Sequence, residues 1–375
     1  MDKYIMEIQR TISMNQELDS TEQFNQNITA GYKNVLRFSL QNPSMAWFMF
    51  TTLFNYNAAS RKRERWATQG VRVPPMLIYS ITHTCNLSCK GCYAKALHAP
   101  KEGDLDPEKF ANLVSQADDI GISIMMLAGG EPFTRPELLD ITARHPKIIF
   151  PIFTNGLLLR GALFEKVLQQ KQAIPIISLE GDEQETDERR GTGVFDQIQT
   201  LILRLRQAKH MFGVSITVTR DNFRTVTSPR FIEKLVNLGS QILFFINYVP
   251  VDPGTEKLML DPAQLGSLKS ILEGFRHKYP ALFVGFPSGE EEFGGCLAAG
   301  KGFVHINAEG DVQPCPFSPY ADANLKSKSL IEALRSPFLQ RVLSNVAEEE
   351  ESNGICGLWQ KREWVESLIK VSPEI

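Results

Sequence analysis

Six short apolar runs, each followed by a segment long enough for a helix, constrain the fold of this 375-residue chain more than any other feature. They are Met76–Thr82, Ile122–Leu127, Ile148–Thr154, Ile174–Leu179, Val214–Val218 and Ile242–Asn247. Each is β-rich or almost wholly apolar, and the intervening segments, such as Pro107–Ile120 and Phe195–Phe212, carry a helical polar–apolar period. That alternation predicts an α/β fold of parallel strands with helices outside. In such folds the residues that meet ligands stand at the carboxyl ends of the strands. Here those positions carry a cysteine loop, Glu131, Asn155, Glu180, Thr219 and Tyr248.

The loop after the first run holds Cys85, Cys89 and Cys92 in a C-x3-C-x2-C spacing. Thiolates are soft ligands that suit iron–sulfur centres. Three of them on one loop can hold three irons of a cubane and leave the fourth iron open to a small molecule. Two rival readings exist for the pair Cys89–Cys92, half a zinc site or a redox dithiol. A zinc ribbon wants a second pair nearby, and none follows within the next two hundred residues. A thioredoxin-like motif has no third cysteine four residues upstream. Six cysteines in a chain this long are too sparse for a secreted disulfide framework, and no signal peptide opens the sequence. Cysteines reserved for iron imply a reducing compartment, so the expected location is the cytoplasm.

Two further segments extend the pattern. Ala128-Gly129-Gly130-Glu131-Pro132 ends the apolar run SIMMLAG, and SLEGDEQETDERRG occupies Ser178 to Gly191. Together with the cysteines they resemble the radical S-adenosylmethionine (radical SAM) superfamily. The resemblance implies a partial (β/α)6 barrel rather than a closed barrel of eight units, a four-iron–four-sulfur (4Fe-4S) cluster on Cys85, Cys89 and Cys92, and bound SAM. It places Gly129, Gly130, Glu131 and Pro132 at the methionine amino group, Ser178 and Glu180 at the ribose hydroxyls, and Arg190 on the methionine carboxylate. Glycines permit close backbone approach, carbonyls beside a carboxylate suit an ammonium, and a planar guanidinium pairs naturally with a carboxylate. Asn155, in the turn Thr154-Asn155-Gly156, either gives the ligand a hydrogen bond or is an ordinary turn residue. Two departures stand out. Gly91 occupies the position before the third cysteine where the family usually has an aromatic, with Tyr93 one position beyond that cysteine as its substitute or as a core aromatic. Glu180 replaces the more usual aspartate.

The C-terminal part carries a second pattern. Cys296, Gly310 and Cys315 fall within GGCLAAGKGFVHINAEGDVQPCPF. This resembles the opening of a SPASM or twitch extension, whose β-hairpin presents cysteines to an auxiliary iron–sulfur cluster. FVHINAEGDVQPC reads as that hairpin. Cys356 follows in the order of a third ligand, and Trp359 stands where the full pattern has the next cysteine. The set is therefore incomplete, with an open iron or a non-cysteine fourth ligand; His305 and Glu290–Glu292 lie close in sequence. The plain alternative is that these cysteines are small buried hydrophobes, and that Glu290–Glu292 and Glu348–Glu351 are solvated acidic loops. The expected units are an N-terminal helical extension (1–74), the core barrel (75–288) and a small α+β twitch-like domain (289–375).

The balance of 40 basic and 43 acidic residues, net −3, gives no reason to propose a nucleic-acid partner. GTGVF at Gly191–Phe195 lacks the third glycine of a dinucleotide loop, and no HExxH, nucleophile elbow or Walker loop occurs. Tyr32–Tyr56 carries aromatic and Leu/Phe residues at helical spacing, followed by Arg61-Lys62-Arg63. It reads as a helix packed over the barrel, with a membrane-surface anchor through Trp47 or a homodimer contact as other readings. The run Met45–Phe54 is too short to span a bilayer.

The resemblance implies an enzyme fed electrons by a flavodoxin or ferredoxin. It would cleave SAM to methionine and a 5′-deoxyadenosyl radical, which abstracts hydrogen from a small-molecule or peptide substrate. The first seventy residues show no winged-helix hairpin of the kind that binds leader peptides. The rival class is a non-catalytic iron–sulfur or zinc-binding electron-transfer protein, and it leaves GGEP and SLEG…RRG unexplained.

Overall fold

The six apolar runs all become strands: β1 Met76–Ser80, β2 Ile124–Ala128, β3 Phe150–Thr154, β4 Ala173–Ser178, β5 Gly213–Val218 and β6 Ile242–Asn247. The computed structural model describes residues 43–98, 103–287, 290, 295–346 and 355–370. The strands pair in parallel in chain order. A seventh, β7 Leu282–Phe286, extends the sheet in parallel from β6. Its five residues follow the helix Pro262–Lys278 after a three-residue link and include Gly285, which dilutes the strand signal.

The hairpin read from the sequence forms as β8 Phe303–Ile306 and β9 Val312–Gln313. Its placement was not legible in the chain. Instead of standing apart, β8 pairs in parallel with β1, giving the order β7-β6-β5-β4-β3-β2-β1-β8-β9. His305 pins this join: it is fully buried, with Nε2 2.8 Å from Ser80 Oγ and Nδ1 2.8 Å from Gln313 Oε1. Both ring nitrogens are thus engaged in holding β8, which removes His305 from the candidate cluster ligands.

Burial alternates along the strands. Leu77, Tyr79, Met125 and Leu127 face outward and are fully buried beneath helices. Met76, Ile78, Ile124 and Met126 face inward and are only half-buried. Helix Pro107–Ile120 supplies part of the outer layer through Phe110, Leu113, Val114 and Ala117. Asp106 caps its start by accepting from Lys109 N–H, and Gly121 ends it at φ +98°. A Cβ at Gly121 would also lie 2.5 Å from the Ala59 carbonyl, so the long helix Pro43–Ala67 presses directly on that turn.

That long helix realises the reading of a helix packed over the barrel; residues 32–42 of the predicted segment lie outside the described residues. Arg63 Nη1 donates to Gly121 O (2.6 Å) and Ser123 Oγ (3.0 Å), while Lys62 Nζ donates to Asp118 O. Further along, Phe48 and Met49 join a core cluster with Ile149, Ile174, Met211 and Phe244. Those partners lie mostly at the amino ends of their strands, so the helix floors the barrel. Its other face leaves Trp47, Phe50 and Phe54 between 54 % and 68 % exposed. No described helix is long and apolar enough to cross a membrane.

Candidate active site

The cysteine loop leaves β1 and is clamped by the Gly129-Gly130 turn that leaves β2. Gly130 N–H donates to Thr82 O (2.7 Å) and Glu131 N–H to Thr84 O (2.8 Å). A Cβ on Gly129 would sit 2.6 Å from Thr82 O, and one on Gly130 would collide with Thr84 O. The two glycines are therefore required where one loop crosses the other, a close approach to backbone. Cys85 is exposed, Cys89 and Cys92 are half-buried, and Cys92 begins the short helix Tyr93–Leu97.

Glu131 ties this turn to β3. Its Oε1 accepts from Phe133 N–H and from Thr154 Oγ1, and its Oε2 from Asn155 N–H at 2.8 Å. Burial nevertheless holds its pKa above the usual glutamate value, since these donors only partly offset the loss of water. Asn155 in turn donates from Nδ2 to Asn86 Oδ1 (2.8 Å), with Cys85 Sγ at 4.0 Å. The Thr-Asn-Gly turn is thus part of the cysteine-loop scaffold. Pro132 opens the tight turn Pro132–Thr134 that seats Glu131.

Ser178 and Glu180 leave β4 on the opposite wall. Glu180 is 1 % exposed, accepts from Arg190 Nε (2.9 Å), Arg190 Nη2 and Thr217 N–H (3.2 Å), and forms an ion pair with Arg189 Nη1 at 2.8 Å. Burial opposes its ionisation, yet the two guanidiniums hold its pKa below the ordinary value. Arg190 also reaches Cys89, with Nη1 4.0 Å from Sγ. Arg189 locks onto the same loop through Lys90, donating from Nε to Lys90 O and accepting Lys90 N–H. Arg189 was missed in the sequence, although the doubled arginine of ERRG was a visible signal. Thr219 does not face the site. It closes a turn with Asn222, and Thr217 lines the cavity instead.

The aromatic at the cysteine loop is supplied from a distance. Tyr93 lines the cavity but packs its ring against Phe317, tilted at 5.3 Å, and edge-on against His98 at 6.3 Å. Gly91, at φ +62°, abuts Tyr248 at the end of β6; a Cβ there would fall 2.5 Å from the Tyr248 hydroxyl. Tyr248 is buried, lines the cavity, and its hydroxyl has no hydrogen-bond partner among the described residues. The Gly91 departure from the usual pattern thus has a steric reason.

Burial pushes the Cys85 and Cys89 thiols upward, while Arg190 and Arg189 pull Cys89 the other way. Among the described residues no three His, Cys, Asp or Glu side chains converge on one metal ion. A cubane takes one thiolate per iron, so its ligand set is wider than a mononuclear site, and this loop of three cysteines ringed by Arg190 and Asn155 suits it. Cationic iron would favour the thiolate form of Cys85 and Cys89 against that burial.

Cys296, Cys315 and Cys356 also come together. Cys315 and Cys356 are buried and Cys296 half-buried. Burial raises Cys296 and Cys315 well above the ordinary thiol value, followed by the charge of Glu290 for Cys296 and of Cys356 for Cys315, and burial takes Cys356 up to about 12. Glu290 is buried, accepts Leu297 N–H at 3.1 Å, hydrogen-bonds Cys296 and stands within electrostatic reach of all three thiols. Burial pushes its carboxyl up to about 7. This corrects the solvated-loop reading for Glu290; Glu291, Glu292 and Glu348–Glu351 lie outside the described residues.

A cavity of about 480 Å³ inside the barrel is lined at its carboxyl end by the three loop cysteines, Glu131, Asn155, Ser178 and Arg190, with Glu180 and the second cysteine triad behind its wall. Residues 79–227 match the family model described as Radical SAM superfamily. The chain is 26 % identical over 317 residues to AdoMet-dependent heme synthase of Methanosarcina barkeri, covering 76 % of this chain and 88 % of the relative. It is 26 % identical over 309 residues to Mycofactocin maturase MftC of Mycobacterium tuberculosis, covering 77 % and 76 %. Among solved structures, Streptococcus suis SuiB bound to precursor peptide SuiA aligns at a TM-score of 0.62 and 19 % identity, over 83 % of this chain and 75 % of that one. Residues 79–227 make up a radical SAM domain, and the chain is an enzyme of that class, with the partial barrel its sequence implied.

Proposed function

We propose that this chain binds SAM across the carboxyl ends of β1 to β6 and turns it against a C–H bond of a substrate held in the same cavity. The observation that carries the reading is the convergence of the cysteine loop, the Gly-Gly-Glu turn and Arg190, held from behind by Glu180, at one cavity mouth. When bound to Cys85, Cys89 and Cys92, a 4Fe-4S cluster supplies the electron that cleaves SAM into methionine and a 5′-deoxyadenosyl radical. The protein's own task is orientation. Arg190, already aimed between Glu180 and Cys89, receives the methionine carboxylate. The turn Gly129–Pro132 faces the methionine ammonium with backbone carbonyls beside the Glu131 carboxylate. Ser178 and Glu180 meet the ribose, and Asn155 steadies the cysteine loop. Tyr248, rather than Tyr93, supplies the aromatic surface beside the third cysteine.

In this reading Cys296, Cys315 and Cys356 hold an auxiliary iron–sulfur cluster in a twitch-like extension (289–375) on the core (75–288), with residues 1–74 as a helical extension. A flavodoxin or ferredoxin in a reducing cytoplasm provides electrons. The relatives divide between a named heme synthase and peptide maturases, so the substrate belongs to the small-molecule or peptide class. The test is anaerobic reconstitution with iron and sulfide, reduction, and measurement of 5′-deoxyadenosine. Release that vanishes in Cys89→Ala is expected. A reconstituted, reduced chain that releases none would overturn the proposal in favour of an electron carrier.

A further inference from the structure

We infer that the lower half of the cavity takes the apolar body of the substrate, an aliphatic chain or ring system whose polar end stays at the rim; this deepens the proposed activity and relies on it only for the reacting end. Barrel interiors are ordinarily filled by layers of interlocking side chains. Here the inward positions Ile78, Ile124, Met126, Ile246, Leu282 and Val284 are half-buried, because they border open space. The cavity's size falls within the range of small-molecule sites.

Polarity is distributed unevenly within it. Ser178, Thr217 and Asn247 stand toward the carboxyl ends of their strands, and Ser215 pairs with Ser178 at that level of the sheet. At the floor, Phe48, Met49, Ile149, Ile174 and Met211 are joined by one hydroxyl, that of Thr52. Among the described residues, a water there lacks the two to four polar side-chain partners that make buried water stable. A polar ligand group reaching the floor would be stripped of hydrogen bonds, whereas an apolar one gains from burial. The floor helix supports the same conclusion independently. From Ala46 to Ser60 it carries no charged residue, with Phe48 and Met49 facing the cavity and Trp47, Phe50 and Phe54 exposed on its other face.

The test is calorimetric titration of the full reconstituted chain with straight-chain 1-alkanols of six to twelve carbons. One saturable site is expected, with affinity rising about fourfold per methylene until the cavity is filled. In Ile124→Phe the rise should stop at a shorter chain. In the variant carrying Trp47→Ser, Phe50→Ser and Phe54→Ser it should persist. Affinity that ignores chain length, or that is lost with those three exposed residues, would overturn the inference, and the wild-type series alone decides this if a variant does not fold. A chain that binds alkanols yet releases no 5′-deoxyadenosine refutes the proposed activity and leaves the cavity assignment standing; the converse refutes the assignment alone.

Discussion

Gly91→Ala isolates a contact that local sequence cannot reveal. Residue 91 sits at φ +62°, where an L-side chain costs about 1–2 kcal/mol. Its new Cβ would also lie 2.5 Å from Tyr248 Oη and 2.8 Å from Cε2, inside contact distance of a buried ring. Overpacking of that kind costs about 1–3 kcal/mol. The single variant should therefore lose about 2–5 kcal/mol, the sum of the two effects. Only the steric part depends on residue 248. In a cycle with Tyr248→Leu, the double variant should recover about 1–3 kcal/mol relative to additivity, while the backbone strain survives. Urea unfolding of all four proteins, read as midpoints at a shared m value, measures this. Additivity within about 0.5 kcal/mol would refute the claim that Tyr248 is why residue 91 is glycine.

Two other expectations bear on the charged and cysteine groups. After anaerobic reconstitution, the Cys85/Cys89/Cys92→Ala triple variant should retain about four irons on the C-terminal triad; an iron-free chain would leave that triad a structural feature. Glu180→Gln strands two partly buried guanidiniums and should cost about 3–5 kcal/mol at neutral pH. Because the folded pKa of Glu180 lies below the ordinary 4.5, its stabilisation is complete above that value and fades as pH falls through the folded one. The gap between wild type and variant should therefore close on the acid side, as urea midpoints from pH 7 down to 3 would reveal; a constant gap would contradict the assignment.

What could be read from the chain depended on the distance over which each signal acts. The six strands were legible because runs such as Ile174–Leu179 are apolar but for Ser178 near the carboxyl end, as strands of a parallel sheet tend to be. β7 was not, since its identity comes from pairing with β6 rather than from its own composition. The hairpin was legible and its neighbour was not, because the Ser80–His305 bond joins residues 225 positions apart. The same rule divides the site. The cysteine loop, the Gly-Gly-Glu turn and SLEG…RRG are contiguous, so the family resemblance located them. Tyr248 against Gly91 arises only when distant segments are brought together, and Glu290, six positions from Cys296, looked solvated until burial placed it otherwise.

Two buried carboxylates, Glu131 at the cavity mouth and Glu180 behind Arg190, decide what charge the site presents. Glu131 and Glu180 are each about 1 % exposed and each accept several hydrogen bonds, yet their pKa values move in opposite directions. The difference is the local cation. Glu180 has two guanidiniums in contact, whereas Glu131 has only N–H and hydroxyl donors and feels Arg190 weakly. One side of the mouth is therefore short of positive charge, and the other, around Arg190, holds it close to the cysteine loop. A zwitterionic amino-acid group answers both needs at once, with its ammonium beside Glu131 and its carboxylate on Arg190. Reversing that orientation would set a carboxylate against Glu131 and an ammonium against two guanidiniums, and like charges at such distances in a poorly solvated site repel strongly. In the proposed binding mode, the polarity of the site is thus set by which carboxylate already owns a cation, before any ligand contact is made.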